Sequence, residues 1–153
     1  MSYTAYHPEI ETASKGVLAL LSLPREPLEA HNHIMAGFSP QTVTKIAEML
    51  GSDTKTICMV AGIDRTTLSR KAKSSALLSQ DQSARVYWLA QVLDSASALN
   101  RGDWEKTMRW LNKPAWGLGN KKPIELLTTS AGAQAVINLI GKIRHGVLSL
   151  IHI

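Results

Sequence analysis

Residues 39–75 are punctuated at short intervals by residues that start or stop helices, which leaves little room for anything but a helical fold. Ser39-Pro40 places a capping hydroxyl before a proline, whose missing N–H and fixed φ suit the first helical position. Val43, Ile46, Ala47 and Leu50 follow at helical spacing, and Gly51 closes the segment. Asp53 or Thr54 can cap the next stretch, KTICMVAG, which breaks at Gly62. Asp64 then caps RTTLSRKAKSS. The pattern predicts helix, tight glycine turn, helix.

Residues 54–73 fit a helix-turn-helix closely. Two helices crossing steeply need a small residue at their contact, which Cys58 supplies. The turn needs a residue that tolerates positive φ, which Gly62 supplies four positions later. Ile57, Ala61, Ile63 and Leu68 are the apolar positions that join the pair. The second helix is left with Arg65, Thr66, Thr67, Ser69, Arg70, Lys71 and Lys73. Short hydroxyls and cations suit base edges and phosphates, and Thr54 joins them as a candidate DNA contact. The same spacing also occurs in an ordinary αα-hairpin with a solvated basic face. Charge placement favours the DNA reading. Residues 1–38 carry two cations against four anions, 39–78 six against three, 79–113 five against four, and 114–153 four against one. A basic block suits a polyanion or an acidic protein pocket.

The remainder is also helical in pattern, and aromatics are sparse, with one phenylalanine, three tyrosines and four tryptophans. A strand-rich sandwich would carry more aromatic and β-branched residues. Ser79 and Gln82 form a capping box before a helix that runs to about Asn100. Val86, Leu89, Ala90 and Leu93 make one apolar stripe of it, and Trp88, Val92 and Leu99 a second. So wide an arc is buried by two neighbours, or by one neighbour and a second subunit. Asp103 caps a shorter helix through Trp104, Met108 and Leu111, which Pro114 stops. A last helix carries Val136, Leu139, Ile140 and Ile143, with Gly146 placed to end it. The expected fold is all-α: an N-terminal helix-turn-helix bundle followed by a small helical C-terminal domain. Four divisions are expected: 1–37, a partly disordered arm in which residues 15–23 dock as a turn or two of helix; 38–78, the DNA-binding unit; 79–109, connecting and dimerisation helices; and 110–153, a binding domain.

Cys58 is the only cysteine, which excludes a disulfide framework and a cysteine-based zinc site and fits a reducing cytoplasm. It reads as a packed small hydrophobe. There is no long apolar run and no basic-then-apolar leader, so a cytoplasmic protein without membrane contact is expected. His31 and His33 lack a third ligand at metal spacing, so no metal is expected. The segment Gly117-Leu118-Gly119-Asn120-Lys121 lacks the strand before it and the Gly-Lys-Ser/Thr ending of a phosphate loop. No catalytic set is visible, and neither enzymatic activity nor a cofactor is expected.

Residues 110–147 carry the most specific pattern. It runs Trp110-Leu111-Asn112, Gly117-x-Gly119, Lys122-Pro123-Ile124-Glu125-Leu126-Leu127, Gly132-Ala133, Val136, then Ile140-Gly141-Lys142-Ile143-x-His145-Gly146-Val147. This order resembles the Xre/MbcA/ParS antitoxins, which partner toxins of the RES-domain class, and the resemblance spans about residues 38–147. It implies a homodimer, able to enter larger toxin–antitoxin assemblies. It also implies repression of its own operon at an inverted repeat, and inhibition of an NAD-consuming toxin by capping its active-site cleft. The candidate toxin-binding residues are Gly119, Lys121, Lys122, Ile143, Arg144, His145, Gly146 and Val147, with Leu148 a further apolar candidate. Taken singly, Lys121 and Lys122 read better as solvated loop charges, and Trp110 and Trp116 better as core than as binding residues. The alternative function is a stand-alone helix-turn-helix regulator whose C-terminal domain dimerises or senses a ligand. The tail LSLIHI departs from the resemblance, which implies a stop within a few, more polar residues. An apolar tail either docks in a partner groove or is a non-native junction.

Overall fold

A computed structural model of the chain describes the backbone of residues 16–152 and the side chains of 16–146. Its elements are α1 (Val17–Leu20), α2 (Pro27–Ala36), α3 (Gln41–Leu50), α4 (Thr54–Ala61), α5 (Arg65–Ser74), α6 (Gln80–Asn100) and α7 (Trp104–Leu111). Two 3₁₀ turns, Trp116–Leu118 and Pro123–Leu126, lead into α8 (Ser130–His152). The fold is all-α; the described residues contain no strand, only an isolated antiparallel bridge between Ala115 and Lys121.

The long helix α6 is the axis of the molecule. It begins at the capping box read from the sequence: Gln82 N–H donates to Ser79 Oγ at 3.2 Å, and Ser79 N–H donates to Gln82 Oε1 at 3.0 Å. Val86, Leu89, Ala90, Val92, Leu93 and Ala96 are all buried. Each large aliphatic side chain in such a place stabilises by about 1.5–3 kcal/mol. α6 packs against α8 on one side and against α1, α2, α4 and α7 around the rest. Most of its broad apolar arc is therefore covered by neighbours in the same chain, while Trp88 and Leu99 of the second stripe stay half-buried. Its C-terminal junction is sealed by Thr107, fully buried. The Thr107 hydroxyl accepts from Asn100 Nδ2 at 2.8 Å and donates to the Asp103 carbonyl at 3.1 Å.

Residues 16–37 depart from the expected arm. The apolar run docks as predicted, through buried Val17, Leu18 and Leu21. Beyond it lies a full helix, α2, in a stretch whose prolines look like interruptions. Pro27 is instead its first residue, and Glu26 caps it by accepting from Leu28 N at 3.1 Å and Glu29 N at 2.9 Å. The segment is tied to α6 by Tyr87, whose hydroxyl donates to the Pro24 carbonyl at 2.8 Å. The Arg25–Asp94 ion pair, also at 2.8 Å, adds a second tie. That hydrogen bond from Arg25 to Asp94 raises the Arg25 pKa. Gly37 then turns the chain at φ +96°, with a Cβ there 2.6 Å from the Leu78 carbonyl oxygen. Phe38 follows with both backbone groups held, its N–H by buried Ser83 Oγ at 2.9 Å and its C=O by Leu78 N–H at 2.8 Å.

α8 also differs from expectation, because it continues through Gly146 to His152. Glycine costs roughly 1 kcal/mol relative to alanine inside a helix, too little to stop one that no proline follows.

Candidate functional site

The first candidate face is built by α4 and α5. Asp53 caps α4, its Oδ1 accepting from Thr56 N at 3.0 Å and Thr56 Oγ1 at 2.9 Å. These two hydrogen bonds, the backbone one first, hold the Asp53 carboxyl below its ordinary pKa. Ile57, Cys58, Ala61, Ile63 and Leu68 are buried, so the helix pair is glued at the positions read from the sequence. Burial pushes the Cys58 thiol pKa up, which suits a packing residue. Gly62 takes the left-handed conformation, φ 68°, ψ 35°. A Cβ on it would collide with the guanidinium of Arg85, which lies over the turn. Asp64 stands at the N-cap of α5 by its backbone, its carbonyl accepting Leu68 N–H at 2.9 Å. Its carboxylate makes no capping hydrogen bond, contrary to the role expected of it.

α5 leaves Arg65, Thr66, Ser69, Arg70 and Lys73 exposed along one open, shallow groove. Three cations and two hydroxyls on one helix face can contact phosphates and base edges together. Thr67 is half-buried, and so is Thr54 at the start of α4. Lys71, counted with the DNA-contacting residues from the sequence, is also half-buried. Its ammonium donates to Gln82 Oε1 at 3.4 Å, on the first turn of α6. It points toward the protein body, because residue 71 lies one turn after buried Leu68, on the inward side.

The second candidate face is the loop between α7 and α8. Ala115 and Lys121 close it: Ala115 N–H donates to the Lys121 carbonyl at 3.0 Å, and Asn120 N–H to the Ala115 carbonyl at 2.9 Å. Gly119 and Asn120 are both left-handed, each at φ 67°. The closed loop sits on α8, where a Cβ added to Gly117 would lie 3.0 Å from Leu139 Cδ1. Gly119, Lys121 and Lys122 are exposed there, as are Arg144, His145 and Gly146 on α8, while Ile143 is half-buried. The glycine and lysine candidates thus share one exposed loop, which meets α8 through Gly117 and Leu139. The side chains of Val147 and Leu148 lie outside the described residues. Thr129 caps α8, its Oγ1 accepting from Gly132 N at 2.9 Å. A Cβ on Gly132 would strike the Leu126 carbonyl, so this glycine lets the loop and helix meet.

Trp116 was missed. It was expected in the core and is 92% exposed, whereas Trp110 packs half-buried against the core as expected. In the 3₁₀ turn Leu118 takes the inward position and Trp116 the outward one. Exposure of this kind has no periodic signature. Only the flanking prolines and glycines, which mark a loop, were a hint.

No group of His, Cys, Asp or Glu among the described residues could hold a metal ion; His31 and His33 stand exposed on α2. No helix among them is long and apolar enough to cross a membrane.

A helix-turn-helix with an exposed basic second helix and a loop-and-helix unit with its own exposed surface thus give the chain two candidate binding faces. Comparison with known proteins identifies the kind. Residues 29–91 match the model of the antitoxin Xre-like helix-turn-helix domain, and residues 95–146 that of the antitoxin Xre/MbcA/ParS C-terminal toxin-binding domain. The chain is 31% identical to an antitoxin Xre of Yersinia enterocolitica over 146 residues, covering 95% of this chain and 99% of that protein. It is 38% identical to an antitoxin Xre of Photorhabdus laumondii over 93 residues, 61% of this chain and 63% of that protein. A third antitoxin Xre, from Pseudomonas putida, is 28% identical over 136 residues, 84% and 80% of the two chains. The chain belongs to the Xre/MbcA/ParS antitoxin family.

Proposed function

We propose that this chain neutralises a RES-domain, NAD-consuming toxin by covering its active-site cleft with the C-terminal unit. The same chain, as a homodimer, represses its own operon by laying α5 in the major groove of an inverted repeat. Arg65, Thr66, Ser69, Arg70 and Lys73 are the proposed DNA contacts, and Gly119, Lys121, Lys122, Arg144 and His145 the proposed toxin contacts. The observation that supports this reading most is the separation of two exposed surfaces on one core. A basic helix follows a left-handed glycine in the helix-turn-helix, and a closed cationic loop lies within the segment that matches a toxin-binding domain.

Co-expression with the adjacent RES-type gene, scored for growth rescue and for NAD level, tests the reading. Rescue by the whole chain is expected. Its loss is expected on combining Arg144→Glu with His145→Ala, with helical content and operator binding unchanged. A chain that binds its promoter but neither rescues growth nor co-purifies with the toxin would leave a stand-alone regulator in its place.

A further inference from the structure

We infer that Trp116 is the anchor by which the C-terminal unit grips its partner, and that it enters an apolar socket rimmed by carboxylates on the toxin, beside the cleft. This rests on the proposed toxin-binding function. A tryptophan 92% exposed is the most solvent-accessible large apolar side chain among the described residues. Buried tryptophans are among the residues that most often dominate protein interfaces. The backbone that carries Trp116 is held before any partner arrives. The bridge between Ala115 and Lys121 closes the loop beneath it, Gly119 N–H donates to the Trp116 carbonyl at 3.2 Å, and Gly117 rests on Leu139. With the loop backbone already fixed, only the two side-chain torsions of the tryptophan remain to be ordered on binding.

The surrounding charge defines the occupant. Residues 112–124 contain Lys113, Lys121 and Lys122 and no carboxylate. All three lysines are exposed, and the backbone bridge brings Lys121 beside Ala115, the residue before the indole. Glu125, the first carboxylate after the loop, has Oε1 accepting from Lys122 N at 3.1 Å. An exposed indole on a loop whose only charged side chains are lysines matches an apolar socket with an acidic rim. It does not match a second copy of the same patch, because a two-fold contact would set these lysines against themselves. Nor does it match a dinucleotide cleft, which must itself offer cations or donors to a pyrophosphate. The socket therefore lies next to the cleft, and the loop fixes the position from which the rest of the unit covers it.

The test measures binding of the full-length chain to the purified product of the adjacent RES-type gene, by calorimetry. Trp116→Ala should raise Kd by about 30-fold or more, the scale of a tryptophan hot spot, and Trp116→Phe should recover part of that. Lys121→Glu with Lys122→Glu should also raise Kd, and the increase of Kd with salt should vanish or reverse. Because the indole is exposed, the melting temperature and operator affinity of Trp116→Ala should match those of the unmodified chain. An unchanged Kd for Trp116→Ala would overturn the anchor while leaving the proposed function standing. Failure of the unmodified chain to bind would overturn both. A lower oligomeric state for Trp116→Ala would make the patch a self-association surface and reject the inference.

Discussion

The α5 face and the Trp116 loop offer their surfaces in opposite ways. α5 presents five polar side chains from a regular helix, and its apolar content is limited to buried Leu68 and the small Ala72. The loop presents one large apolar side chain from irregular backbone, with cations around it. A helix face with repeated charges suits a ligand with repeated charges, and its binding should be spread over many contacts and screened by salt. A single exposed indole suits a single socket, and its binding should be concentrated in one side chain. Both surfaces rest on α6, which packs against α4 below the first and against α8 below the second. The two should differ in how they bind and agree in how they melt.

The largest expected effect tests that agreement. Leu93 is fully buried on α6. Leu93→Ala should cost about 3 kcal/mol, within the usual range for a large-to-small core change. That corresponds to a drop of roughly 10 °C in melting temperature for a chain of this size. A single shared transition is expected. Two separated transitions in calorimetry, with only one displaced, would show that the halves fold independently.

Gly62→Ala should act mainly on the DNA side. A left-handed φ costs a residue with a Cβ about 1–2 kcal/mol, and the new methyl would also displace the Arg85 guanidinium. Stability should fall by that amount. Operator affinity should fall further than toxin affinity, since the turn sets the angle of α5. Equal losses at both faces would mean that the turn and the C-terminal loop are coupled.

Charge removal along α5 should have little effect on stability and a graded effect on binding. Arg70→Ala and Lys73→Ala should each reduce the slope of log affinity against log salt by about one, if each contacts a phosphate. Lys71→Ala should change the slope less, because its ammonium faces Gln82. A slope that falls equally for all three would place Lys71 on the DNA after all.

The α5 side was readable in the sequence because its determinants are local. Helix caps, the Cys58–Gly62 spacing and the Ser79–Gln82 box each act within a few residues, so the chain written out displays them. The exceptions are the Asp64 carboxylate, which makes no cap, and Lys71, which depends on a helix eleven residues away. The loop was readable only as a loop. Whether an aromatic in it turns inward or outward depends on Leu118 and on α8, and proximity in the chain does not report that. Residues 27–36 show the same limit from another direction. Pro27 breaks a helix read from before it and starts one read from after it, and the Glu26 cap is what decides. The extent of α8 was misjudged because a glycine weakens a helix without ending it.

The smallest predicted effect concerns pH and again separates the two sides. α4 is capped by a carboxylate, Asp53, and α8 by a hydroxyl, Thr129. Only the first can titrate. Hydrogen bonds from Thr56 hold the Asp53 pKa in the folded chain below its ordinary value of 3.8. The unfolded chain therefore takes up a proton at higher pH than the folded one does. The stabilisation from this cap is complete above the unfolded value, and is lost as pH falls through the folded value. Asp53 is fully solvent-exposed, so the effect is small and weakened by salt. Asn caps helices about as well as Asp does and carries no proton to titrate in this range. Asp53→Asn should therefore leave stability near neutral pH almost unchanged and make its decline below pH 4 shallower. Amide hydrogen exchange across the acid range would locate the change: the first turn of α4 should lose protection with falling pH in the unmodified chain and keep more of it in Asp53→Asn. The first turn of α8 should behave alike in both. Equal acid sensitivity at the two helix starts would show that the carboxylate cap is not what distinguishes them.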